Sequence, residues 1–308
     1  MTDEFELIAR IAAILGPARD GVELGIGDDA AVLASAGNRI VVTVDAAVEG
    51  VHFRRDWMDL EDIGYRATVA AASDILAMGA TPHAAVAAWT IPRDVDDDTI
   101  AAIVAGQREA ADKLGISIVG GNITTAAVLS ITTTVLGHGG RVITRSGARP
   151  GDALVLAGTV GEAALGIVAL EKRRPDVSER AVLAYRRPRV LLEEARALAR
   201  TAHAMIDVSD GLAQDVGHLA RASGVRIVID ADALAWLRNP HIREAAQGLG
   251  VNMTDLELGG GDDYALVAAM PGTEDNERSI IGVVEEGSGV VIEHDGKRTA
   301  APSGYRHR

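Results

Sequence analysis

Aspartate recurs beside glycine, serine or threonine in five separated stretches. They are Gly25-Ile-Gly-Asp-Asp29, Thr43-Val-Asp45, Ser73-Asp74, Asp207-Val-Ser-Asp-Gly211 and Gly259-Gly-Gly-Asp-Asp263. A carboxylate is a hard oxygen ligand, and Mg²⁺ is held through a few carboxylates together with substrate phosphates. Glycine beside the acid lets backbone approach a ligand closely. One such stretch means little; five suggest a cation or phosphate site assembled from the whole fold.

Each stretch also has a plainer reading. Gly25-Ile-Gly-Asp-Asp29 is equally a tight turn in which an Asp side chain bonds its own backbone. Asp45 follows a strand, where an acid is readily solvated. Asp74 is different, because it falls in Ala70-Ala-Ala-Ser-Asp-Ile-Leu-Ala-Met78, an otherwise apolar stretch of helix. A carboxylate is rarely buried without a partner, so Asp74 is expected to face a metal or a polar cleft. Asp207-Val-Ser-Asp-Gly211 leaves a short strand and opens a helix. There Ser209 or Asp210 can act as N-cap, and the same helix start favours phosphate. Gly120-Gly-Asn-Ile-Thr-Thr125 reads as a backbone cradle for phosphate or as a hairpin turn. Three glycines before Asp262 imply close approach by a ligand or another backbone.

These residues need elements to hold them. Residues 4–15 carry helical spacing, and β-type runs follow at 30–34 and 39–45. Asp59 is placed to cap a helix from Leu60 to Met78. A strand over 84–91, a helix from Asp96 to Leu114, and strands over 116–119 and 129–136 complete the first half. The Gly- and Pro-containing segment Arg145-Ser-Gly-Ala-Arg-Pro-Gly-Asp152 marks a boundary between domains 1–148 and 149–308. Beyond it are strands at 153–157, 225–229, 264–269, 280–284 and 290–292, and one ending at Asp207. Helices are expected near 162–172, 189–202 and 212–222. Strands alternate with helices throughout, so both halves are mixed α/β layers.

The composition narrows the chemistry. The 308 residues contain no cysteine, which excludes disulfides, thiolate nucleophiles and thiolate-bound metals. A net charge of −14 argues against a nucleic-acid partner, whose phosphates are held by clustered Lys and Arg. Lys113, Lys172 and Lys297 are the only lysines, and none sits in a Walker-type phosphate loop. No G-x-S-x-G elbow and no His pair at helical zinc spacing is present. No apolar run is long enough to cross a bilayer, and the acidic Met1-Thr-Asp-Glu start is unlike a signal or transit peptide. A cytoplasmic enzyme without a membrane partner is the expectation.

Taken in order, these stretches resemble thiamine-monophosphate kinases, of the aminoimidazole-ribonucleotide synthetase-like superfamily, over essentially the full chain. The resemblance is carried by Glu23-Leu-Gly-Ile-Gly-Asp-Asp29, Val48-Glu-Gly-Val-His-Phe53 and Ser73-Asp-Ile-Leu-Ala-Met-Gly-Ala80. It continues through Arg145-Ser-Gly-Ala-Arg-Pro-Gly-Asp152, Met205-Ile-Asp-Val-Ser-Asp-Gly-Leu212 and the glycines before Tyr264. It implies ATP-dependent phosphorylation of thiamine monophosphate to thiamine diphosphate, with several Mg²⁺ ions. It also implies a homodimer in which the N-terminal sheets form a barrel-like interface.

Residue by residue, the resemblance implies metal contacts at Asp29, Thr43, Val44, Asp45, Asp74, Asn122, Asp207 and Asp210. Of these, Asp45, Asp74 and Asp210 are expected to carry catalysis. Gly121, Asn122, Arg145 and Ser209 match ATP contacts; His52, Asp262 and Tyr305 match substrate contacts. Three positions depart from the family pattern. Asn122 replaces an acid, Val44 stands where a Thr is common, and Asp262 replaces a Glu. Selenophosphate synthetase and the hydrogenase-maturation dehydratase are poor fits, because they depend on cysteine or selenocysteine. Aminoimidazole-ribonucleotide synthetase, which matches the motifs less well, is the alternative within the superfamily, and a nucleotide-binding paralogue without turnover is the alternative of a different class.

Overall fold

The computed structural model describes residues 8–9, 12–14, 20–35, 38–272 and 279–301. Residues 8–9 and 12–14 are helical; the rest of the helix expected over 4–15, and Tyr305, lie outside the described residues.

The first half builds one six-stranded sheet from β1 (Val22–Leu24), β2 (Ala31–Ser35), β3 (Asn38–Val48), β4 (Thr81–Ile91), β5 (Ser117–Thr125) and β6 (Ser130–Gly139). Its order is β1-β2-β3-β6-β4-β5; all pairs are antiparallel except β4 with β5. The period-two alternation of β6 turns Ile131, Thr133 and Val135 inward. Two 18-residue helices, α1 (Leu60–Ala77) and α2 (Asp97–Leu114), pack together beside the sheet. Asp96 caps α2 by accepting from Thr99 N–H at 2.8 Å. Asp59 occupies the N-cap position of α1 but makes no capping bond through its side chain.

The second half forms a seven-stranded sheet from β7 (Asp152–Ala157), β8 (Ala204–Val208), β9 (Arg226–Asp230), β10 (Ala265–Pro271), β11 (Ser279–Glu285), β12 (Gly289–His294) and β13 (Lys297–Ala300). Its order is β13-β12-β9-β11-β7-β10-β8, which leaves β8 at an edge. Its helices are α3 (Glu162–Glu171), α4 (Glu179–Arg186), α5 (Leu192–Ala199), α6 (Leu212–Ser223), α7 (Ala231–Leu237), α8 (Pro240–Leu249) and α9 (Met253–Gly259); α6 and α7 pack on the sheet, whereas α3, α4 and α8 share an apolar cluster with Ile63, Trp89 and Ile131 of the first half. Both halves are mixed α/β layers, as the alternation predicts. The short helices α4 and α7–α9 are additions to the expected elements.

Helix α1 is buried along nearly its whole length. Its Ala71, Ile75 and Met78 share one apolar cluster with Leu191, Leu198, Met205 and Leu266 from the second half. This explains the missing polar face that makes its sequence read as an apolar run: both halves of the chain pack on it. It also brings α1 against edge strand β8, where Ser73 Oγ donates to Asp207 Oδ2.

Candidate functional site

A cleft of about 1200 Å³ opens where β3, α1, the end of β8 and the loop before β2 converge. Asp29, Asp74 and Asp207 stand together in it, with carboxylate oxygens within 4.8 Å of one another. Each arrives on a different element. Asp29 follows the glycine turn after β1, Asp74 sits on the last turns of α1, and Asp207 is near the end of β8. Thr43 on β3 donates its hydroxyl hydrogen to Asp74 Oδ2.

Three acids this close and this buried resist ionising together. Burial, followed by the charges of Asp207 and Asp29, pushes the Asp74 carboxyl well above the usual range. Asp29 is pushed up to about 7, by burial first and by Asp207 against the opposing pull of Arg145. Asp207 is raised by burial, with the Ser73 hydroxyl holding it back. Asp29 Oδ2 is buried and has no hydrogen-bond partner among the described residues. A hard divalent cation suits this donor set: it removes the repulsion and gives the orphaned oxygen a ligand.

The glycine turn accommodates both of its readings. Asp28 Oδ1 accepts from Asp29 N–H at 3.0 Å, the local turn bond. Asp29 instead faces the cleft and receives Arg145, with Nε at 3.0 Å and Nη2 on the same Oδ1. Burial alone would lower the Arg145 pKa, but the charge and hydrogen bonds of Asp29 raise it, so the guanidinium stays charged.

Thr43, Val44, Asp45, His52, Arg145, Asp207, Ser209, Asp210 and Asp262 all line the same cleft as Asp29 and Asp74. Val44 presents a largely exposed apolar side chain there, which has no ligand atom to offer. His52 Nδ1 accepts from Val48 N–H at 3.1 Å, which places the proton of the neutral ring on Nε2.

Gly121 and Asn122 are not brought to the cleft. The expected cradle or turn at 120–125 is part of strand β5, the exposed edge of the first sheet. β5 lies three strand spacings, about 14 Å, from β3. A Cβ at position 121 would stand 1.8 Å from the carbonyl oxygen of Ala87, so the glycine is demanded by the β4 backbone.

The helix start after β8 also departs from expectation. Neither Ser209 nor Asp210 caps α6; Gly211 is the N-cap residue, with no side-chain bond. Asp215, in the first turn, instead accepts from Ser209 and Asp210 N–H groups, each at 3.0 Å. Gln214 Nε2 donates to Asp210 Oδ2 at 3.1 Å.

The triple glycine is explained by backbone rather than by a ligand. A Cβ on Gly261 would lie 2.3 Å from Ser209 O, and one on Gly260 would lie 2.4 Å from Ala164 Cβ. The loop is fastened to the end of β8, with Asp262 N–H donating to Ser209 O and Tyr264 N–H to Val208 O, both at 2.8 Å. Asp262 and Tyr264 adopt positive φ values of 70° and 50°. Asp263 turns away from the cleft and accepts from Gly161 and Ala163 N–H at the start of α3.

Sequence reasoning missed His218, Arg66 and the aromatic pair Trp57–Tyr185. His218 lies on the cleft face of α6, and burial with Arg145 and Arg221 pushes its pKa down to about 4, keeping it neutral. Its place on one face of an amphipathic helix was the available signal. Trp57 and Tyr185 meet edge to face at 6.4 Å; no spacing rule links residues so far apart.

Fold and site together define a protein of the AIR synthase related class. The family models match, as AIR synthase related protein, N-terminal domain, over residues 27–138 and C-terminal domain over 149–295. The thiamine-monophosphate kinase of Mycobacterium tuberculosis is 36% identical over 292 residues, covering 92% of this chain and 86% of the relative. That of Aquifex aeolicus is 33% identical over 288 residues, covering 92% of each. Among solved structures, AaThiL complexed with AMPPCP and TMP superimposes with a TM-score of 0.90 at 30% identity, covering 99% of this chain and 97% of that one. The chain belongs to the thiamine-monophosphate kinase family.

Proposed function

We propose that this protein transfers the γ-phosphoryl group of ATP directly to the phosphate of thiamine monophosphate, giving thiamine diphosphate and ADP. The observation that carries the reading is the buried trio Asp29, Asp74 and Asp207 in one cleft with Arg145. Two anionic phosphates must be brought together, so the barrier is largely charge repulsion and positioning. Mg²⁺ ions held by Asp29, Asp45, Asp74, Asp207 and Asp210, with Thr43, would neutralise that charge.

The chain's own groups divide the remaining work. Arg145, charged and half-buried, suits phosphate oxygens of the nucleotide. Ser209 lies just before α6 at the cleft, where its hydroxyl can meet the nucleotide, its N–H being taken by Asp215. Elsewhere in the cleft lining, Trp57, Tyr185, Ile167 and Val168 with Glu171 offer apolar and aromatic surface and one acid, with Arg54 over the Trp57 ring at 4.3 Å from its centroid. That composition fits the cationic heteroaromatic half of thiamine. His52, donating from Nε2, and Asp262 line the same cleft, and Tyr305 is assigned to the same substrate by resemblance.

The active form in this reading is a homodimer, with domains at 1–148 and 149–308. Edge strand β5 exposes Val119 at 67% and Ile123 at 71%, and Val44 on β3 is 62% exposed. An edge this apolar calls for pairing or covering. Gly121 and Asn122 would then reach the nucleotide from the partner's strand, across a barrel-like interface.

The test is an assay with ATP and Mg²⁺ against thiamine monophosphate, thiamine and aminoimidazole ribonucleotide precursors, resolving products and ADP. Thiamine diphosphate formed from the monophosphate alone is expected. Nucleotide binding without product in every arm would favour the non-catalytic paralogue, to which Asn122 lends some weight.

A further inference from the structure

Arg66 is an arginine buried on α1, with its side chain 4% exposed. Its guanidinium is engaged on every side. Nη1 donates to Tyr185 O at 2.5 Å and Nη2 donates to Asp262 Oδ1. Its flat faces lie against two rings, 4.5 Å from the centroid of Tyr185 and 5.5 Å from that of Tyr264. The Tyr264 hydroxyl donates to the same Asp262 oxygen at 3.3 Å. Oδ2 is therefore the oxygen that neither donor engages, on a side chain 30% exposed at the cleft.

A role confined to stability explains this poorly. A buried ion pair commonly returns little more than its desolvation cost, so apolar residues would serve a core as well. Asp262 and Tyr264 are moreover both held at positive φ, a strain that persists where surrounding structure over-determines a functional geometry. The arrangement fixes one carboxylate at one place, from a helix that no loop movement can carry away.

We propose that Arg66 is the positioning residue for Asp262, and so sets the affinity for the thiamine half of the acceptor. It does so without touching the acceptor or the nucleotide. The inference rests on the reading of the aromatic part of the cleft lining as the acceptor's side.

The experiment compares the full-length wild type with Arg66→Met, Arg66→Lys, Asp262→Asn and Arg66→Met/Asp262→Asn. Each is measured for KM of thiamine monophosphate, KM of ATP and kcat. Equilibrium binding of thiamine monophosphate is followed calorimetrically in parallel. Arg66→Met is expected to raise the acceptor KM and dissociation constant about tenfold, the effect of one mis-set charge-assisted contact. The ATP KM should move by less than about twofold. Lys restores part of the loss, because it keeps the charge but not the two-pronged planar fork. The double variant should bind no worse than Asp262→Asn alone, since Arg66 acts through that carboxylate.

Both KM values rising together, an unchanged acceptor KM, or additive losses in the double variant would overturn the assignment. If Arg66→Met fails to fold, Arg66→Lys decides it: an acceptor-selective loss supports positioning, and an equal or absent loss removes it. Wild type that binds thiamine monophosphate without phosphorylating it sinks the kinase reading alone, and the binding arm still tests Arg66. Wild type that does not bind it overturns both.

Discussion

Thr43 on β3 donates its hydroxyl hydrogen to Asp74 on α1, so the first sheet and the central helix meet at the carboxylate cluster itself. A threonine there satisfies one oxygen of an acid that its neighbours otherwise oppose. Asp74 is thus held in place while remaining costly to ionise.

Replacing Asp74 should therefore separate stability from metal binding. Asp74→Asn keeps an acceptor for Thr43 but removes one of three crowded acids that must otherwise take up a proton on folding. In chelator we expect it to unfold about 1 kcal/mol harder than wild type, the gain commonly found on relieving a strained active site. Mn²⁺ affinity, followed by paramagnetic resonance, should fall at least about tenfold because a charged ligand is lost. Lower stability in chelator would contradict the crowding argument.

Asp29 sets a pH dependence. Its folded pKa is about 7, above the 3.8 of an ordinary Asp, so the folded state holds a proton that the unfolded chain has released between those values. Its contribution to stability is full below pH 3.8 and is lost as pH rises through about 7. Metal binding runs the other way, since the ligand must be deprotonated. In urea titrations with chelator, the slope from Asp29 between those pH values should vanish in Asp29→Asn. In wild type, Mn²⁺ affinity should strengthen on passing from pH 6 to pH 8.

Asn122 gives a test of the two-subunit site. Asn122→Asp returns a charge at a position that the chain's own cleft does not contain. The Mg²⁺ concentration for half-maximal rate should fall about tenfold in the dimer if that carboxylate joins the site. No change in a verified dimer would remove Asn122 from the metal environment.

Asp263 and Gly121 each predict a stability effect. Asp263→Ala leaves Gly161 and Ala163 N–H without their acceptor and should cost about 2 kcal/mol in urea denaturation. Gly121→Ala drives a methyl group into the Ala87 carbonyl and should cost about 2 kcal/mol or more. A Gly121→Ala protein as stable as wild type would mean that β4 and β5 are free to separate there.

The aspartates were legible because chemistry written in side-chain type survives without coordinates. Asp74 stood out since a carboxylate amid alanines on a helix needs a reason, and the cleft supplies it. The main strands were legible through β-branched runs, as in Ile-Val-Val-Thr-Val of β3. What escaped was whatever depends on long-range backbone contact. The glycines at 259–261 read as close approach by a ligand or by another backbone, and only the fold shows that Gly261 makes room for Ser209 and Gly260 for Ala164 and Leu256. Gly120-Gly-Asn-Ile-Thr read as a phosphate cradle or a turn, because no local rule reveals that the β4 carbonyl of Ala87 presses on Gly121. Asp263 looked like a sister to Asp262, but neighbouring residues on a twisted loop point apart, and one caps a helix while the other faces the cleft. Helices α7–α9 are short and follow one another closely, so periodicity had too few turns to register.

Helix α1 carries Arg66 near its middle and Ser73 and Asp74 near its C-terminal end. Eight residues of α-helix span about 12 Å, and a buried helix neither stretches nor bends at little cost. The separation between the carboxylate set by Arg66 and the acids awaiting metal is therefore fixed like the marks on a gauge. Under the proposed reading, the protein measures its acceptor by length. A molecule held at its aromatic end by Asp262 presents a reactive oxygen to the metals only if it already carries one phosphate.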